Sequence, residues 1–306
     1  MMKPSDVSAL KAAFGPQLKE NVPLAGYTSA RIGGPADILI IVRSAKELAQ
    51  AAEILWGMDC SFQLIGGGSN ILVSDKGIRG VTILNRARLV RFELEQADPV
   101  VFAESGASLN DIAQRSATHS LSGLEWAASV PGSLGGAVYG NAGAFGGEMS
   151  GNVLKVELYD RVEGTQSWSV DKMEYGYRTS SLKKSRKDVV IVSALLKLAR
   201  GNTQDIQEKM AGFSDRRKKT QPPGASMGSM FKNPPGDKAG RILEAAGLKG
   251  IRVGNAEISS KHANFFINTD RTLASEMKTL LELAQETVYK KFGIMLEPEI
   301  EIVGEW

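Results

Sequence analysis

An α+β fold of more than one lobe is predicted for this chain by three features. Short runs rich in β-formers alternate with helical patterns along most of its length. At 306 residues it exceeds the usual span of one hydrophobic core, and 42% hydrophobic content can fill two or three. Glycine, at 33 residues, stands well above the usual share of about 7%, and the excess sits largely in two clusters.

Residues 38–42 (ILIIV) read as a buried strand, and Ser44 with Glu47 three residues on is a capping box that opens a helix to about Met58. Residues 62–65 read as the next strand. The run Gly66-Gly67-Gly68-Ser69-Asn70 follows at once and residues 71–74 resume an extended pattern, so this cluster occupies a loop at a strand end. Three strand-like segments (VTIL, LVRFELE, VVFAES) fill residues 81–106, and Ser108 with Asp111 starts a helix to Ala117 in a second α+β lobe. Residues 153–159 and 189–198 read as strands, with YGYRTSSLKKSRK between them as a polar connection, and a boundary falls near Gly201. Thr203 can cap a helix to Thr220 that QPPG then stops, and a helix over 239–246 ends at Gly247 in the C-cap position. A long helix over 272–292 carries Leu273, Met277, Leu280, Leu281, Ala284 and Val288 as one buried stripe. The closing strand, 299–303, alternates charge with isoleucine and valine, one face buried and one wet.

Residues 123–148 hold eight glycines among almost no charge. Glycine costs conformational entropy and leaves no side chain to pack. Such a segment either brings main chain against a flat or phosphorylated ligand or builds a set of tight turns. The balance of 37 basic to 34 acidic residues suits an anionic small molecule and falls short of a nucleic-acid footprint. The single cysteine, Cys60, leaves no intrachain disulfide, reads as a packing residue and suits a reducing compartment. The start, MMKPSDVSALKAAFG, lacks a signal-peptide pattern, and the most apolar later stretch is broken by Ser193 and Lys197, so no membrane span is expected. Ile71 stands where the third glycine of a dinucleotide fingerprint would fall, no Gly-Lys dipeptide exists for a P-loop, and His119 and His262 are too few for a paired-histidine zinc helix. No metal site is expected.

Taken in order, IGGPAD at 32–37, LIGGGSNILVSD at 64–75, the 123–148 segment, YGYR at 175–178, GSMFKNP at 228–234, AGRILEAAGLKG at 239–250, ISSKHANFFIN at 258–268 and FGIMLEPEIEIVG at 292–304 resemble one family. It is the UDP-N-acetylenolpyruvoylglucosamine reductases (UDP-N-acetylmuramate dehydrogenases), flavoenzymes of bacterial peptidoglycan precursor synthesis. The collinear match covers nearly the whole chain and is more specific than any single motif. The resemblance implies a two-lobed FAD-binding region of the PCMH/vanillyl-alcohol-oxidase-like type, residues 1–84 and 85–200. It further implies a C-terminal α+β substrate-binding domain over 201–296 and a last strand within 297–306 that packs back on the first lobe.

The same resemblance implies NADPH-dependent, FAD-mediated reduction of UDP-N-acetylglucosamine enolpyruvate to UDP-N-acetylmuramate, with FAD held non-covalently. Backbone amides of Gly66, Gly67, Gly68, Ser69 and Asn70 would receive the FAD pyrophosphate, chemistry that the bare sequence also permits as an anion-binding nest. Pro131, Gly132, Gly135, Gly136, Asn141, Ala142 and Gly143 would line the isoalloxazine ring. Arg178 and Glu299 match the positions that stabilise the enolate, with the Glu299 pKa raised; without the resemblance each reads as an ordinary surface charge. Ser229 matches the proton donor, and from composition alone also reads as a turn residue. Lys232 and Asn233 would contact the uridine diphosphate portion. YGYRTSSL resembles the shorter form of the family, which lacks an inserted tyrosine-bearing loop, leaving Tyr177 as the candidate to take over part of that substrate contact. Met227 replaces a commoner small residue, which leaves the packing beside Ser229 open. The run Arg216 to Lys219 reads as a solvated helix end or a phosphate-steering patch, and His262 as a structural histidine or a substrate contact. Two other readings are an FAD-dependent sugar or hydroxy-acid oxidase of the same cofactor fold and a non-catalytic flavin-binding regulator. The third lobe argues against the first, and the joint presence of Arg178, Ser229 and Glu299 against the second. A cytoplasmic monomer with small-molecule partners, no nucleic acid and no membrane is expected.

Overall fold

A computed structural model describes residues 4–95, 98–185 and 188–306; residues 1–3 of the N-terminal stretch and Arg186 and Lys187 of the polar connection lie outside the described residues. The first region comprises α1 (Pro4–Phe14), β1 (Leu18–Pro23), β2 (Pro35–Val42), α2 (Ala45–Gly57), β3 (Phe62–Ile65), β4 (Ile71–Val73) and β5 (Ile78–Asn85). Its sheet runs β1-β2-β5-β3, with β5 parallel to both of its neighbours. Strand β2 is covered on both faces, hence its nearly unbroken apolar run. The Ser44 hydroxyl accepts the Glu47 N–H at 3.1 Å as the spacing demands, but the Glu47 carboxylate reaches back to the Arg43 N–H at 2.8 Å instead of that of Ser44. Cys60 packs against this core. Neither α1 nor β1 was anticipated, and β1 is a mostly exposed edge strand without clear alternation.

The second region holds β6 (Val90–Glu93), β7 (Val100–Glu104), α3 (Leu109–Thr118), β8 (Leu121–Ser122), α4 (Leu134–Gly140), β9 (Gly143–Ala144), β10 (Gly147–Glu148), β11 (Val153–Asp160), β12 (Gly164–Ser169), α5 (Ser181–Ser185), β13 (Val189–Lys197) and β14 (Ala199–Arg200). Its antiparallel five-stranded sheet runs β12-β11-β13-β7-β6, with apolar β13 at the centre. The unanticipated β12, GTQSWS, lies at the edge, paired with β11 and turning Trp168 onto the second core.

The third region holds α6 (Thr203–Thr220), β15 (Ala225–Ser229), α7 (Ala239–Ala245), β16 (Arg252–Val253), β17 (Ala256–Ile258), β18 (Phe265–Asn268), α8 (Ala274–Phe292) and β19 (Glu301–Val303). Its sheet runs β15-β18-β17-β16, and β19 leaves it to pair in parallel with β4, Glu301 opposite Ile71. Three expectations need correction. The cap of α6 is Asn202, whose side-chain oxygen accepts from the Gln204 and Asp205 amides, with Thr203 already helical. Helix α8 begins at Ala274, and Leu273 is 52% exposed outside the stripe. The start is set from afar: the Ala274 and Ser275 amides donate to the Asp75 carboxylate at 2.6 and 2.9 Å. The closing strand does not alternate as expected, because Ile302 is exposed while the Glu299 side chain just before it is only 17% exposed.

Helix α6 opens the third region, yet its buried Ile206 and Met210 cluster with Ala117 and Ala128 of the second. Among the described residues no helix is long and apolar enough to cross a membrane, and no group of three or more His, Cys, Asp or Glu could hold a metal ion.

Candidate active site

The loop from Gly66 to Asn70 joins β3 to β4 and presses against the second glycine segment. A Cβ at Gly67 would lie 2.7 Å from the Gly132 Cα, one at Gly66 would lie 2.1 Å from the Ser133 hydroxyl, and one at Gly68 (φ 62°) would lie 2.0 Å from the Tyr27 carbonyl oxygen. The amides of Gly67, Gly68 and Ser69 donate to no acceptor among the described residues. Three successive free N–H groups in a turn make a concave anion receptor, so the loop fits a pyrophosphate. Arg86, which sequence reasoning missed, holds the Gly66 carbonyl with Nη1 at 2.7 Å. Burial and the neighbouring Arg88 push its guanidinium pKa down.

The second cluster divides. A Cβ at Gly132 would crowd the Ser69 hydroxyl (2.7 Å), at Gly135 Ser105 (2.9 Å), at Gly143 Glu148 (2.8 Å) and at Gly147 the Trp126 ring (2.3 Å). Gly136, in contrast, meets nothing nearer than 3.6 Å, and Gly140 and Gly146 nothing within 4 Å. Much of the glycine demand therefore comes from main chain packing on protein, while exposed Pro131 and Gly136 leave an open face that a flat ring fits. Asn141, expected beside the ring, has its side chain committed to protein. Its fully buried side chain donates to the Gly176 carbonyl at 3.0 Å and accepts the Ser150 N–H at 3.0 Å, and Ala142 is tied to Ala137 and Met149.

What Asn141 steadies is the turn that presents Arg178. Gly176 and Thr179 exchange N–H···O bonds at 3.1 and 3.2 Å, with Tyr177 and Arg178 between them. Arg178 sits at φ 56°, a left-handed conformation that costs a non-glycine residue about 1–2 kcal/mol. The guanidinium donates through Nε to Glu299 Oε1 at 2.8 Å and through Nη2 to the Gly143 carbonyl at 2.8 Å. A side chain at Gly143 would come within 3.3 Å of Nη1, so that glycine clears space for the arginine. Burial raises the Glu299 pKa above the ordinary carboxyl value; Arg178, Lys183 and Lys232 oppose that rise without cancelling it.

Ser229 ends β15 opposite Phe265, after a register slip at which Gly228 takes φ 77°. Its hydroxyl has no protein hydrogen-bond partner among the described residues. Met227 is 1% exposed within the third core, so its extra bulk fills the interior. Residues 229–232 run beside 297–299: the Glu299 N–H donates to the Met230 carbonyl at 2.8 Å and the Lys232 N–H to that of Glu297 at 2.9 Å. Arg178, Glu299 and the Ser229 end of β15 are thus brought together from three distant stretches. The Lys232 ammonium pairs with Glu297. The Asn233 side-chain oxygen accepts the Ala239 N–H at 3.0 Å, and its own N–H donates to the Tyr177 hydroxyl at 3.3 Å.

Beside these groups lies a cavity of about 580 Å³ lined by Phe145, Gly146, Arg216, Thr220, Asn233 and His262. The basic run is split, with Arg216 on the cavity, Arg217 half-buried, and Lys218 and Lys219 exposed. His262 Nδ1 accepts the Asn264 N–H at 3.2 Å, burial lowers the ring pKa, and the imidazole borders the cavity. The Phe145 ring stacks on Phe213 at 4.7 Å, a contact that sequence alone did not signal.

Residues 219–303 match the C-terminal domain of UDP-N-acetylenolpyruvoylglucosamine reductase, and residues 36–168 match an FAD binding domain. The chain is 43% identical over 287 residues to the UDP-N-acetylenolpyruvoylglucosamine reductase of Caldanaerobacter subterraneus subsp. tengcongensis, covering 93% of each chain. It is 40% identical over 286 residues to the Bacillus subtilis protein of that name, again covering 93% of each. The crystal structure of the Thermus caldophilus reductase superposes with a TM-score of 0.79 at 33% identity, over 92% of this chain and 97% of that one. An alkyldihydroxyacetonephosphate synthase shares the fold over 65% of this chain and 41% of its own, with a TM-score of 0.50 at 16% identity. The fold is a PCMH-type FAD-binding region followed by the reductase C-terminal domain. By sequence and structure alike, the chain belongs to the UDP-N-acetylenolpyruvoylglucosamine reductase family.

Proposed function

We propose that this protein reduces UDP-N-acetylglucosamine enolpyruvate to UDP-N-acetylmuramate in peptidoglycan precursor synthesis, with FAD as cofactor and NADPH as reductant. The observation that carries the site assignment is the Arg178–Glu299 pair at 2.8 Å, set beside the Ser229 end of β15 and close to the free amides of the glycine loop. Those amides would hold the pyrophosphate, and Pro131, Gly132, Gly135 and Gly136, with the main chain of Ala142 and Gly143, would border the ring. FAD, when bound, supplies a hydride to the methylene carbon of the enolpyruvyl ether.

Negative charge then develops on the neighbouring carbon and its carboxylate. Arg178 is always charged and planar, and binds that growing charge better than it binds the resting substrate. Glu299 helps only when protonated, and its burial favours that form. Ser229 delivers the proton that quenches the carbanion, and a weakly acidic hydroxyl suffices because the acceptor is so basic. Lys232, Asn233 and Tyr177 would contact the nucleotide portion, with Arg216 drawing phosphate toward the cavity. The division into 1–84, 85–200 and 201–296, with 297–306 returning to the first lobe, is supported by the three larger sheets, one in each region, and by the β19–β4 pairing. A cytoplasmic, monomeric enzyme is part of the same proposal.

An anaerobic spectrum provides the test. Yellow colour should bleach with NADPH and return with UDP-N-acetylglucosamine enolpyruvate, and acid precipitation should release the flavin. Ser229→Ala should still bleach but fail to recover; normal recovery would reject Ser229 as the donor.

A further inference from the structure

We infer that Asn70 is a positioning residue whose carboxamide holds Glu299 in register with the glycine loop, an inference that rests on the roles proposed above for Glu299 and Arg178. Its place at the end of Gly66-Gly67-Gly68-Ser69 suggests a main-chain donor to phosphate. The side chain does something else. Nδ2 donates to the Glu299 carbonyl at 3.0 Å, while the Asn70 carbonyl accepts the Glu301 N–H at 2.9 Å. The two bonds bracket Ile300, which is 5% exposed.

On its other edge the Glu299 N–H donates to the Met230 carbonyl at 2.8 Å. Both main-chain polar groups of Glu299 are therefore held, one by the residue after Ser229 and the other by the residue after the free amides. Strand β19 has three residues and pairs with β4 alone, too short a ladder to fix the preceding residue by itself. The Arg178 contact at 2.8 Å leaves little tolerance, since a displacement of about 1 Å takes a hydrogen bond out of range. Asn70 supplies the restraint where the ladder stops.

Asn70→Ala and Asn70→Leu in the full-length protein test this. The second variant is close in size, adds no charge and has no donor for the Glu299 carbonyl. In FAD-saturated enzyme, reoxidation by UDP-N-acetylglucosamine enolpyruvate should fall at least tenfold more than reduction by NADPH. In FAD-free protein, the ¹³C carboxyl signal assigned by its loss in Glu299→Gln should titrate at higher pH in both variants, as the pair with Arg178 loosens. The other charges facing Glu299 stay in the sequence: Lys183 from α5, Lys232 beyond β15, and Glu297 and Glu301 on its own segment. An unshifted Glu299 titration with equal slowing of the two half-reactions would reduce Asn70 to a structural staple. A fall in FAD affinity that accounts for all lost activity would return it to the cofactor ligands, and either result overturns the inference. If Asn70→Ala does not fold, Asn70→Leu decides alone. A wild-type protein that substrate cannot reoxidise would sink the proposed function instead, leaving the Glu299 titration to judge Asn70.

Discussion

The glycine loop after β3 and the Arg178–Glu299 pair stand on either side of Asn70, yet they are built on opposite principles. In the loop the working groups are main-chain amides, and side chains are excluded by contacts as close as 2.0 Å. At the pair the working groups are side chains, and the main chain is bent to aim them: Arg178 at φ 56°, held through Gly176 by Asn141. A main-chain site is damaged by adding atoms, a side-chain site by exchanging them.

The largest effect should come from the side-chain region. Lysine is a point charge on a flexible stem and cannot donate in two fixed directions to Glu299 and to the Gly143 carbonyl as Arg178 does. Arg178→Lys should slow substrate reoxidation of the flavin by about 10²–10³-fold, as for loss of a preorganised transition-state donor, while FAD stays bound; stopped-flow absorbance measures both. A loss under tenfold would mean that charge alone is what matters there.

The main-chain region is probed by two matched substitutions. Gly68→Ala places a Cβ 2.0 Å from the Tyr27 carbonyl oxygen at φ 62°, and should cost about 2–3 kcal/mol and much of the FAD affinity. Gly140→Ala sits in α4 with nothing within 4 Å of the added carbon, and should change stability by less than about 1 kcal/mol, on the stabilising side. Urea unfolding and flavin fluorescence separate the two, and equal effects would remove the distinction between packed and open glycines.

Glu299 gives a smaller, pH-dependent signal. Because burial raises its folded-state pKa, the folded protein binds this proton more tightly than the unfolded chain does. Its stabilising contribution is full below the unfolded carboxyl value and declines as pH rises through the raised folded value. The reoxidation rate should fall over the same rise, since an ionised Glu299 repels the developing charge. Glu299→Gln should flatten both profiles; an unchanged stability profile would mean that Glu299 ionises freely in place.

How much of this was readable beforehand follows the same division. The glycine loop announced itself through composition, and β2, α2, β13 and α8 through period and caps. The Arg178 turn did not, since a left-handed arginine breaks the local preference that sequence reading relies on, and only the family resemblance singled it out. The family resemblance singled out Asn141 as well, but nothing in the local pattern signals that its side chain bonds to Gly176 and Ser150. Edge strand β1 shows no regular alternation, and β12 alternates in burial with Trp168 as the one large apolar residue on its inner face, too little for a hydropathy period. Arg86, Phe145 and Phe213 matter through contacts that no spacing encodes.

The last prediction concerns a place where a side chain of the first region serves main chain of the third. The Asp75 carboxylate takes the two leading amides of α8, one on each oxygen. A capping acceptor of this kind contributes about 1 kcal/mol, and its negative charge at the helix N-terminus adds a few tenths more. Asp75→Ala should therefore lower unfolding stability by about 1–2 kcal/mol. Asp75→Asn, which keeps one acceptor oxygen and loses the charge, should fall between. Both should leave the Arg178→Lys phenotype additive, because no hydrogen bond joins Asp75 to the Arg178–Glu299 pair. If Asp75→Ala instead slowed substrate reoxidation as strongly as it lowered stability, the seating of α8 would be part of what aims Glu299, and the two building principles would not be separable in the third region.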